Sequence, residues 1–176
     1  PVQSLFPAVC AREGIQPFLP GVVLTVHMLV QALWGYRVAV YGNWRYRRTP
    51  LVVAHVGGAL VFAAAWLWPS FLLTAVALSA AGFYTGFAYF AAVYYSSNSG
   101  RRSFNVGVNE CLVGLGSFAG LFASQWWMKR TGTDAAMYAV CAAALLVSLA
   151  LQLLVASVPR RVAAAAITPA PATAGS

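Results

Sequence analysis

Charge is what this chain has least of. Only 8% of its 176 residues are charged, and just three of them are acidic. A soluble domain usually carries about 25% charged residues. So small an acidic inventory leaves no paired carboxylates for general acid–base work. The sequence has no H-E-x-x-H, no G-x-S-x-G and no G-x-x-x-x-G-K-[ST], so zincin, hydrolase-elbow and P-loop chemistry have no motif to rest on. The expectation is therefore a protein that is not an enzyme and takes no cofactor. Its three cysteines, Cys10, Cys111 and Cys141, lie far apart, without a C-x-x-C or a His/Cys cluster. Neither a disulfide framework nor a metal site is indicated, and the thiols read as small apolar fillers.

What the chain has in abundance is apolar surface in blocks. It is 61% hydrophobic, with mean hydropathy +0.73. About 20 apolar residues suffice to cross some 30 Å of hydrocarbon. Five segments reach that length: 21–41, 50–68, 70–95, 104–128 and 135–158. The expected fold is all-α, a polytopic membrane bundle of five full spans over residues 21–158. Residues 1–20 read as a partial span plus outer loop, with Ser4–Ala11 either the outer end of a span or a segment lying on the membrane. Pro7, Pro17 and Pro20 are expected to interrupt any long helix there. Residues 159–176, rich in alanine, proline and threonine, read as a disordered tail. The chain opens on Pro1 without a signal-peptide pattern and reads as a piece of something longer.

The net charge of +8 does not fit nucleic acid, because no stripe of Lys and Arg with interleaved aromatics is present. The basic residues cluster at span ends. Arg45, Arg47, Arg48, Arg101, Arg102, Arg160 and Arg161 fall on one side; Arg12, Lys129 and Arg130 fall on the other. Positive loops stay cytoplasmic, so both basic loops and the C-terminal tail are expected in the cytoplasm, at a plasma (inner) membrane.

Polar residues within spans mark the candidate site. His27, Gln31, Trp34 and Val38 share one stripe of the first span. His55, near the start of the second, reads as a boundary residue. In the third, Gly82-x-x-x-Gly86 offers a small-residue face, and Tyr89 belongs to an aromatic band that either packs or lines a path. The fourth span carries Gly107, Glu110, Gly114, Ser117 and Ser124 within about 100° of arc, with Gly116-x-x-x-Gly120 on another side. Glu110 reads as a structural anchor or as a proton or substrate site. The Lys129–Asp134 turn offers Asp134 as a helix cap. The fifth span, almost wholly aliphatic, reads as peripheral and lipid-facing.

Together these features resemble the C-terminal half of a major facilitator superfamily transporter, over roughly Ser4 to Arg161. Asn43-Trp44-Arg45-Tyr46-Arg47-Arg48 sits where that family often has a D-R-x-G-R-R-like loop; Arg47 and Arg48 match, while Asn43, Trp44 and Tyr46 depart. Arg101 to Glu110, followed by Gly114, Gly116 and Gly120, is similar to the family's eleventh helix. The resemblance implies half of a twelve-helix fold, with its N-terminal half in the same or a separate chain. It also implies alternating access for a small solute along His27, Gln31, Tyr89 and Glu110. The competing reading is a non-transporting membrane scaffold held to a partner by small-residue faces. The solute itself is not legible.

Overall fold

The computed structural model describes residues 2–45, 47–98 and 100–157. The tail from 159 onward, with Arg160 and Arg161, lies outside the described residues. Six α-helices follow one another: α1 (Val2–Arg12), α2 (Phe18–Val40), α3 (Arg48–Leu67), α4 (Phe71–Ser97), α5 (Arg102–Thr131) and α6 (Ala136–Ser157). A 3-10 turn, Gly42–Trp44, lies between α2 and α3. Helices α2 to α6 are each long and apolar enough to cross a membrane. Their outward side chains confirm the solvent: Leu72 is 74% exposed, Leu60 65% and Leu115 65%, which water would not tolerate in such number. The chain is an integral membrane protein.

Helix α1 has 11 residues, too few to cross alone. It continues through Pro7, against the expectation of a break there, because its stripe Val2, Leu5, Phe6, Val9 and Cys10 is buried against the bundle. That packing offsets the backbone bond Pro7 cannot donate. Pro20 falls in the first turn of α2, where a missing N–H is harmless.

Helix α4 is the hub. It packs most extensively on α2, and also on α3 and α5, while α6 closes against α3 and α5. In lipid there is no hydrophobic drive between apolar helices, so close backbone approach and hydrogen bonds must hold them. Gly82 and Gly86 provide the approach. A Cβ on Gly82 would lie 2.7 Å from the His27 carbonyl oxygen, and one on Gly86 would lie 2.5 Å from that of Gln31. By contrast, a Cβ on Gly107, Gly114 or Gly116 meets nothing within 4 Å. The small-residue face of α4 is thus filled, and that of α5 is open.

Two corrections concern the last helices. Helix α6 is not the peripheral one: Met137, Tyr138, Leu145 and Leu149 are buried. Helix α5 is, with only Ser124 and Met128 buried. The turn between them differs too. Gly132 ends α5 at φ +70, the left-handed conformation glycine takes without strain. The Asp134 carboxylate does not cap α6 but reaches Arg12 at 2.9 Å, and Thr133 Oγ1 accepts from the Ala135 N–H instead. Both partners of that ion pair are substantially exposed, so it registers the end of α1 and adds at most about 1 kcal/mol.

The opposite end is organised by Trp44. Its ring is buried and its Nε1–H donates to the Val38 carbonyl at 2.6 Å. Phe87, Tyr94 and Tyr95 meet it edge-on. Arg45 lies over the Tyr94 ring at 4.8 Å. The basic loop is thus fastened to the end of α4, which places Arg45, Arg47, Arg48, Arg101 and Arg102 at one end of the bundle.

Gly86→Val should lower the thermal denaturation midpoint in detergent by an amount equivalent to about 1–3 kcal/mol, the usual cost of overpacking. Gly114→Val should leave it within about 0.5 kcal/mol, as for an open surface position. Equal effects would mean that the α2–α4 crossing is not tight.

Candidate functional site

A cavity of ≈ 330 Å³ lies where all six helices converge. Gln3 enters from α1, His27 from α2, Phe62 from α3, Tyr84 and Thr85 from α4, Gly116, Ser117 and Gly120 from α5, and Cys141 from α6. The walls are mostly apolar, with a few polar groups that converge, which is the common form of a small-molecule site. On the α5 wall, Gly116 and Gly120 contribute no side chains to fill the space.

His27 is the fixed polar feature. It is 1% exposed. Its Nδ1 lies 2.6 Å from the Leu78 carbonyl oxygen, which can only accept, so Nδ1 carries the hydrogen and donates. Its Nε2 then accepts from the Gln3 side-chain amide. The ring is held from two helices besides its own, and Gln3 carries the polarity on to the cavity wall.

The second buried histidine was missed. His55 is 2% exposed, not a boundary residue. Its Nδ1–H donates to Leu51 one turn back, at 2.9 Å. Its Nε2 faces the Tyr84 and Ser148 hydroxyls, each at 3.4 Å, and Ser148 in turn accepts from Gln152 at 3.4 Å. Tyr84 lines the central cavity and also stands edge-on to the His55 ring at 5.2 Å. A run of exchangeable groups therefore leads from the cavity across α4 into the α3–α6 interface. The signal available in the sequence was Ser148 and Gln152 at i, i+4 on an otherwise aliphatic helix.

Of the four path candidates, only His27 lines this cavity. Gln31 sits on the same stripe, but what it contributes is its backbone carbonyl, pressed on Gly86. Tyr89 is 53% exposed on the outside of α4. Glu110 is exposed on α5, two turns before Ser117, and makes no ion pair among the described residues. Next to it, the side-chain nitrogen of Asn109 is buried without a hydrogen-bond partner. The three cysteines are free: Cys10 fills the core, Cys141 borders the cavity, and Cys111 is exposed and fills nothing. No group of three metal-ligating side chains is found among the described residues.

Comparison with protein-family models, with curated proteins and with solved structures finds no match for this chain.

His27→Leu should cost about 1–3 kcal/mol in thermal denaturation, because it leaves the Gln3 amide without its buried partner. His55→Leu should cost about 0.5–1.5 kcal/mol, since its contacts outside its own helix are long. A larger loss at His55 than at His27 would reverse this ranking.

Proposed function

We propose that this chain is one half of a secondary transporter, moving a small solute by alternating access. The observation that carries the proposal is the cavity to which every helix contributes, polar at His27, Gln3, Thr85 and Ser117 and apolar elsewhere. The helix order agrees in part with an exchange of α1–α3 for α4–α6: α3–α6 maps onto itself and α1–α2 onto α4–α5, whereas α2–α4 and α3–α4 have only slight counterparts in α1–α5 and α1–α6, and α5–α6 has no comparable one in α2–α3. Nested three-helix repeats of this kind build the halves of major facilitator transporters, the family the sequence resembles.

In this reading α5 faces the other half. It has open glycines at 107 and 114 and an exposed carboxylate at Glu110. A carboxylate at membrane depth needs water, a proton or a partner, and a second half supplies the setting for any of these. Gly107 and Gly114 leave room for a neighbouring helix to approach. The basic end, with Arg45, Arg47, Arg48, Arg101 and Arg102, belongs to the cytoplasmic side of a plasma membrane. The same open α5 face favours the scaffold reading, in which it holds a partner and nothing is carried.

The test is flux through the full-length protein in proteoliposomes, with a panel of labelled sugars, organic anions and amphipathic cations. Transport should appear for one class and fall at least tenfold in Gly116→Leu, at a cavity-lining position where an added Cβ meets nothing within 4 Å. The variant should keep its denaturation midpoint. Folded protein that moves no solute favours the scaffold; undiminished flux in Gly116→Leu excludes this cavity as the path.

A further inference from the structure

Helices α2 and α3 are consecutive, yet they barely touch. Their counterparts under the repeat exchange, α5 and α6, pack against each other. The gap between α2 and α3 is a continuous cleft floored by α4. Its deeper part, ≈ 450 Å³, runs along Gly57 and Val61 of α3 over Phe83 and Phe87. Its outer part, ≈ 570 Å³, continues over Phe87 to Arg37, Arg47 and Thr49. Trp34, Pro50 and Val53 border both parts. From Pro50 to Val61 the cleft follows about 17 Å of helix at ~1.5 Å per residue. That matches one leaflet, half of ~30 Å of hydrocarbon.

We infer that this cleft is a binding site for an anionic phospholipid, one acyl chain lying along Gly57 and the phosphate between Arg37 and Arg47. The chemistry changes along the cleft in the order a lipid requires. The walls are aromatic and aliphatic within the span, and guanidinium groups stand only at the mouth. No carboxylate lines either part, so the two arginines have no acid there to neutralise them. Arg37 lies over the Tyr41 ring at 5.1 Å, which fixes its head at the interface. Guanidinium is suited to phosphate, offering planar, bidentate donors. A Cβ on Gly57 would meet nothing within 4 Å, so the chain's place is empty of protein. Basic pockets between membrane helices recognise anionic headgroups in this way. A zwitterionic lipid brings its own ammonium, which the arginines repel.

The experiment is native mass spectrometry of the full chain released from nanodiscs of phosphatidylglycerol and phosphatidylcholine in equal amounts, with identical acyl chains. One phosphatidylglycerol should be retained with a preference of roughly fivefold, from the worth of basic residues at an anionic headgroup. The Arg37→Gln/Arg47→Gln double variant should bring the ratio to about one. Arg101→Gln/Arg102→Gln, at the same end but outside the cleft, should leave it unchanged. Gly57→Leu should expel the lipid while keeping the denaturation midpoint. Equal retention of the two lipids, or a preference that survives loss of Arg37 and Arg47, overturns the site. So does a photoreactive residue at position 53 that labels a polypeptide rather than lipid in native membranes, which would assign the cleft to a protein partner.

Discussion

The rest of the structure depends on the contact between two backbones. At Gly82 and Gly86, α4 comes so close to the carbonyls of His27 and Gln31 that no side chain fits between. Lipid tails compete equally well for apolar side chains, so dispersion at short range is what distinguishes helix from lipid as a neighbour. The crossing also brings the Leu78 carbonyl within 2.6 Å of the His27 ring, so the tightest packing and the best-fixed polar group lie side by side. With α2 locked on α4, α3 and α5 take other faces of the same helix, and α6 spans between them. The central cavity is what this arrangement encloses.

Polar groups follow the same logic. Each of the two buried histidines uses Nδ1–H on a carbonyl and turns Nε2 toward donors from other helices. A bare imidazole in hydrocarbon would be costly, and the surrounding helices remove that cost. Tyr84 connects the two sites, one edge on the cavity and the hydroxyl toward His55. Helix α5 breaks the pattern. Its Glu110 carboxylate is exposed and its Gly107 and Gly114 meet nothing, which is the behaviour of a surface waiting for a neighbour.

Much of this was legible beforehand. Blocks of apolar residues bounded by arginines gave five spans, each within a few residues of the observed helix ends. Gly82-x-x-x-Gly86 announced a helix contact, and it is the tightest in the bundle. What could not be read was which small-residue face is used: Gly107 and Gly114 have the same composition and meet nothing. The choice depends on which helices become neighbours, a long-range outcome invisible to spacing. The same gap hid His55. Its distance from the span end suggested the interface, but Tyr84 and Ser148, distant in sequence, bury it. Tyr89 and Gln31 shared stripes with useful residues, yet a stripe about 100° wide includes positions that face a backbone or lipid rather than a cavity.

Oxidative cross-linking in native membranes tests the α2–α4 crossing most directly. In a background lacking the three native thiols, Gly35→Cys should join Phe90→Cys, since a Cβ at 35 lies 4.0 Å from the Phe90 ring. Trp34→Cys and Gly57→Cys, on opposite walls of the α2–α3 cleft, should not join. Cross-linking of the second pair without the first would contradict a bundle built on α4.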